Sequence, residues 1–275
     1  QGGGWQVTGD TQVQAAGFDI SLTRTDNALQ GAVAVTGAHV AVNNSSALLL
    51  GNVTATQGLD VQSAGGISQR NGTALTVTGD VSATASTTTD VKLDAAANQW
   101  TGTVSVSAAR DVSLAKQGAL NLGPVSASRD VTLQAAGALT QSGALTAGGQ
   151  TSATSATGMV DLGGSNNQLT GAVSLSGTQV TVKNQQALVL GQVDASGLFT
   201  ATSTQGITQQ GGTRVSALAG SVLAADASHD IVLDQTANVL GAPVSVGAAR
   251  HVTLNTASAL QLGSVSLAGD LALQA

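Results

Sequence analysis

The side chains able to do chemistry are few and scattered. All 15 acidic residues are Asp, Glu is absent, and there is no Cys. Paired carboxylates could serve as acid and base or hold calcium, which is how β-helical enzymes break polysaccharides. Here Asp80, Asp111, Asp130, Asp230 and Asp270 each directly precede an apolar run, where an Asp side chain ordinarily bonds its own backbone. The three His, at positions 39, 229 and 251, have no metal-ligand spacing. Calcium-binding nonapeptides need GGxGxD in series, and neither GGG at Gly2 nor GG at Gly163 begins one. Lack of Cys removes disulfides, thiol catalysis and thiolate metal sites. The expectation is a protein that is not an enzyme, with no catalytic, cofactor-binding or metal-binding residue.

Surface recognition leaves equally thin traces. Thr-x-Thr ladders can bind crystalline surfaces, but TAT at Thr54 and TVT at Thr76 are not expected to fall on consecutive coils. RGD does not occur. The stretch SATASTTTD from Ser82 is the expected exposed polar loop, a place where a glycan or host protein could bind. A net charge of −6 and a pI near 4.6 argue against nucleic acid, which needs clustered Lys and Arg. No apolar run approaches the 18 or so residues of a membrane helix, so no transmembrane segment is expected. Alternating strands with aromatic girdles, the mark of a membrane barrel, are missing too. No signal segment is visible and the chain does not begin with Met, so it reads as a piece of something longer.

The elements that carry these residues are strands. Charged residues make up 9% of the chain, against roughly 25% in ordinary globular proteins. Aromatics are 1% and Gly is 35 of 275, while strong helix formers are scarce. The core must therefore be built from Val, Leu, Ile and Ala. One phrase recurs: DNALQGAVAVTG, ANQWTGTVSVSA, NNQLTGAVSLSG, ANVLGAPVSVGA. Asn27, Asn98, Asn167 and Asn238 hold the same place in it and follow one another at nearly equal steps. ALLLG, ALNLG, ALVLG and ALQLG, from Ala47, Ala119, Ala187 and Ala259, keep the same rhythm. GISQ, ALTQ and GITQ, from Gly66, Ala138 and Gly206, give a third anchor. The chain thus divides into one repeat segment, 1–275, with units at about 27–97, 98–166, 167–237 and 238–275, the last partial.

Within a unit, apolar pulses of three to five residues alternate with Thr, Ser, Asp or Lys, as in VTV and VKL, the period of a half-buried strand. Read three to a turn, they give about three coils per repeat of roughly 70 residues. Strands this short hold only when stacked. The expected fold is all-β, a right-handed parallel β-helix with a thin aliphatic column. Phe199, aligned with Leu59, Val131 and Leu271, is expected to point into that column beside a compensating Ala201, and Leu271 to point inward likewise. Trp100, aligned with Leu29, Leu169 and Leu240, is expected to be partly exposed. His39 shares its repeat position with Arg110, Gln179 and Arg250 and reads as a solvated polar turn.

The phrases ARDVSLAKQGALNLGPVSASRDVTLQAAGALTQSGALTAGG and AGDLALQA resemble the repeats of filamentous-haemagglutinin-like exoproteins, very large bacterial surface adhesins of two-partner secretion. The resemblance covers essentially the whole chain and lies in repeat style, with no catalytic signature. It implies a right-handed parallel β-helix, export through an outer-membrane secretion pore, and service as the shaft of a secreted, cell-surface adhesin linked to virulence. The family's Asn-Pro-rich secretion domain and C-terminal toxins have no counterpart in these residues. A host or neighbouring-cell receptor or glycan is the implied partner. The alternatives are a β-helix that binds glycan or host protein through an outer face and, further off, a β-helical polysaccharide-degrading enzyme.

Overall fold

The computed structural model of the chain describes residues 1–241 and 243–275. Among the described residues every regular element is a strand, and the strands pair in parallel as a β-solenoid, a parallel β-helix. The chain forms two compact units, Gln1–Ala135 and Ala136–Ala275. In the first, Ile20, Val40, Leu59, Val81 and Val104 stack in order through the strand ladder. Leu48, Ile67, Val91, Val112 and Val131 make a second column. None of these ten side chains is more than 5% exposed. The second unit repeats the arrangement with Leu139, Val160, Val180, Phe199, Ser221 and Val244, and with Leu188, Ile207, Ile231 and Val252.

Four turns carry the first column from Ile20 to Val104. The sequence repeat carries Ile20 onto Val91, and Val91 belongs to the other column. Each repeat is therefore longer than three whole turns by a fraction of a turn. The second unit behaves alike: Val160 and Ile231 are one repeat apart and also lie in different columns.

Two strands are far longer than the three to five residues expected. Ala32–Asn44 has 13 residues and Leu48–Ser63 has 16. Their mutual register slips between Val33 and Val35 and again between Gly37 and His39. A bulge lets a strand bend without leaving its ladder, so a corner that would otherwise be a loop stays paired. Other corners use glycine. Gly79 has φ +127°, and a Cβ there would sit 1.7 Å from the Gln57 carbonyl oxygen, so TGD at Thr78 admits no larger residue.

Phe199 is fully buried, as expected. Its compensation runs between turns as well as beside Ala201. Leu59 stacks on Val81 and Val61 on Ala83, whereas two repeats later Phe199 stacks on Ser221 and Ala201 on Leu223. The larger Phe199 meets a smaller partner in Ser221, and in the neighbouring pair large and small are exchanged. Leu271 stacks on Val252 in the inward register but stays 38% exposed, because its strand, Leu271–Gln274, is paired on one side only. Against expectation, TAT and TVT do lie on consecutive turns, with Thr54 stacked on Thr76. The stretch from Ser82 is not the open loop expected. Val81–Thr84 is a strand, and the turn after it is closed by Thr89 donating to the Ser86 carbonyl, leaving Thr87 and Thr88 as its exposed residues.

Candidate functional site

The structure spreads the Asp and His residues over contacts between turns, and joins Asp90, Asp111 and Asp130 through Arg110 and Arg129 in one ion-pair ladder. Asp80 accepts the Thr103 backbone N–H at 2.7 Å, Asp111 that of Asp130 at 3.2 Å and Asp230 that of His251 at 3.1 Å. Each bond reaches the next turn, 19 to 23 residues on, in place of the expected bond to the local backbone. Stacking puts an unpaired strand-start N–H directly over each carboxylate, and that donor wins. Asp130 and Asp270 lie 3.9 Å from Arg129 and 3.3 Å from His251. His39 is partly solvated but lies within the strand Ala32–Asn44 and not in the polar turn expected, and it pairs with Asp60 at 3.0 Å, while His229 pairs with Asp226 at 3.8 Å. Among the described residues no group of three His, Cys, Asp or Glu could hold a metal ion.

Asparagines recur among the polar side chains inside the solenoid, beside serines such as Ser63 and Ser203. Asn27, Asn98, Asn167 and Asn238 are completely buried. The Asn98 side-chain carbonyl accepts the Leu75 backbone N–H at 2.9 Å, from the preceding turn. Its amide donates to the Leu93 carbonyl at 3.1 Å and to the Ala115 carbonyl at 3.2 Å, 17 residues later. One side chain thus ties three turns, and the other three Asn repeat the pattern. Each also faces a glutamine. Gln69 and Asn98 exchange two amide hydrogen bonds of 2.8 Å, as do Gln209 and Asn238. Gln141 with Asn167 and Gln1 with Asn27 pair in the same way. The Asn and the Gln of GISQ, ALTQ and GITQ were both visible as repeat anchors. Their meeting was not, because they lie 26 or 29 residues apart and only the turn length brings them together.

A second amide position exposes the place where the repeat is broken. Asn44 accepts from the Leu29 backbone N–H at 2.8 Å and donates to its carbonyl at 3.1 Å. Asn184 does the same to Leu169 with both bonds at 2.9 Å, and Thr256 accepts from the Leu240 N–H at 3.2 Å. At the matching positions of the second repeat stand Trp100 and Lys116. Lysine has no acceptor and cannot make this clamp. Its ammonium instead lies 5.6 Å from the centre of the indole ring. Trp100 is only 2% exposed, against the expectation of a partly exposed ring, because its position points inward like those of Leu29, Leu169 and Leu240, with Lys116 over the ring. Its indole N–H is buried without a hydrogen-bond partner. Burial pushes the Lys116 ammonium below the usual lysine range. The two residues line an open groove of about 640 Å³ whose walls include Thr76, Gln99, Thr101 and Gln117.

A family model described as repeats of unknown function (DUF5649) matches residues 1–36, 37–107, 109–176 and 177–247. The chain is a β-solenoid and belongs to this repeat family. The second, third and fourth matched segments each begin shortly after one of the clamp residues Asn27, Asn98 and Asn167, so family and clamp describe one period in two phases. No curated protein and no solved structure shows significant similarity to the chain.

Proposed function

We propose that the chain is a structural shaft segment of a secreted, cell-surface filamentous adhesin, extending a binding or effector region away from the cell. The observation that carries this is the use to which recurring polar residues are put. In each unit the repeated Asn, Gln and Asp side chains bond one turn to the next, and a shaft needs such bonds at every repeat. A solenoid built this way grows by adding repeats without altering its ends. The resemblance to filamentous-haemagglutinin-like exoproteins adds export through an outer-membrane pore and a receptor contacted by other regions. The reading assigns this segment no catalytic role. Antibodies raised against residues 1–275 should label intact, unpermeabilised cells that express the parent gene. Removal of one whole repeat, residues 98–166, should keep that labelling. Labelling seen only after the cells are opened would overturn the reading.

A further inference from the structure

We infer that the groove between Trp100 and Lys116 binds an acidic saccharide chain, with a ligand carboxylate paired to the Lys116 ammonium. The inference does not depend on the shaft reading. Seven of the nine Lys and Arg residues have a carboxylate within 4 Å in the structure. Lys116 and Lys183 have none among the described residues, although the chain carries a net charge of −6, and of the two Lys116 is the one that lies over an indole ring. Lys116 is a half-buried cation with no counter-ion, and a bound carboxylate would supply one. The matching positions of the other repeats hold the Asn or Thr clamp, so Trp100 and Lys116 stand where the other repeats carry a working structural pair.

The walls fit a polyol better than a peptide. Thr76, Gln99, Thr101 and Gln117 present hydroxyls and amides; Gln99 donates to Gln117 and Thr101 accepts from the Gly79 N–H, and their remaining donors and acceptors match sugar hydroxyls. A peptide docking as an added strand needs an open sheet edge. The wall strand Leu75–Val77 is already paired on both sides, to Leu48–Ser63 and to Gln99–Trp100. Lysine's stem is flexible and unpaired at its tip, so it can leave the ring when a carboxylate draws it. A sugar ring can then take its place on the indole face and offer the buried N–H an acceptor.

The test reads Trp100 directly. The chain has two Trp, so Trp5→Phe leaves Trp100 as the fluorophore. Titration of that variant with an oligogalacturonate should shift its emission saturably, and dextran, a neutral polysaccharide, should not. Lys116→Met keeps most of the stem and removes the charge. It should weaken binding by about tenfold or more, the loss of one charge-assisted contact, with melting unchanged. Three results would each overturn the inference: no saturable shift with oligogalacturonate, equal binding of polyglutamate, or full binding by the Lys116→Met variant. Should Lys116→Met lower the melting temperature, Lys116→Gln and Lys116→Arg separate the two roles, since Arg keeps the charge and must keep binding.

Discussion

The Lys116 ammonium and the Trp100 ring, 5.6 Å apart, occupy the positions where Asn44 with Leu29 and Asn184 with Leu169 close a two-bond clamp. The pair is thus a joint replacement, and it should behave as one energetically. Lys116→Asn alone should gain little, because the bulky ring still occupies the place of the leucine. Trp100→Leu alone leaves the lysine beside a void. Combined, they should restore the clamp and come out more stable than the two single effects predict, by about 1 kcal/mol or more. A double-mutant cycle from urea unfolding measures this. Simple additivity would mean that the two positions are independent.

Asn98→Ala removes the side chain that serves Leu75, Leu93, Ala115 and Gln69. It should cost about 3 kcal/mol or more, because each buried partner left unpaired costs about 1–3 kcal/mol. Asn98→Asp should also be costly, since a carboxylate cannot donate to the Leu93 and Ala115 carbonyls. Gln99→Ala, on the outward neighbour, should cost under about 0.5 kcal/mol. Equal melting temperatures for the Asn98 and Gln99 variants would refute the clamp.

Phe199 over Ser221 stands where an earlier repeat has Leu59 over Val81. The Ser221 hydroxyl is buried with no partner. Phe199→Ala should cost about 3–5 kcal/mol through the cavity it leaves. Phe199→Leu combined with Ser221→Val copies the earlier pair and should recover most of the stability that Phe199→Leu loses alone. Denaturant midpoints of the two variants decide, and no recovery would mean that the exchange along the column is not compensation.

The Arg250 guanidinium bonds both oxygens of Asp230 at 2.8 and 2.7 Å and holds its carboxyl down at about 2, with the His251 N–H assisting. Arg110 and Arg70 lower Asp90 and Asp10 in the same direction. A folded-state pKa below the unfolded value of about 3.9 stabilises the fold above that pH. The contribution is lost as pH falls from about 4 towards 2. Melting temperature should therefore drop through that window, and less steeply in Arg250→Gln. A flat or rising profile would contradict the pairing.

Much of the fold was legible because its period is written in residues such as Val91, Leu93 and Asn98, whose types recur at fixed spacing. Alternation within VKL gave the inward face, and the scarcity of aromatics gave the thin column. The extra fraction of a turn was not legible. Linear alignment places Ile20 with Val91, and nothing in either residue says that they occupy different columns. The same blindness hid the Gln69–Asn98 pair, whose spacing has meaning only once the turn length is known. The Asp bonds were misplaced because propensity rules describe a residue's own neighbourhood, and stacking supplied a nearer donor at Thr103. Trp100 and Lys116 were each readable as departures from the repeat, but their contact was visible only when turn was laid on turn.

The amide clamps also fix how such a chain should come apart when pulled. Each Asn holds the turns before and after its own, so a turn at the end of a unit cannot peel away until the clamp it shares has failed. Tension should then yield in bursts instead of a smooth slide, one burst per clamp. The chain between Asn27 and Asn98 is one repeat long and includes the Asn44 clamp, so the ruptures of one repeat would together release roughly 240 Å of slack at about 3.4 Å per residue. A tether with that property absorbs a sudden load by lengthening in steps while its remaining turns stay folded.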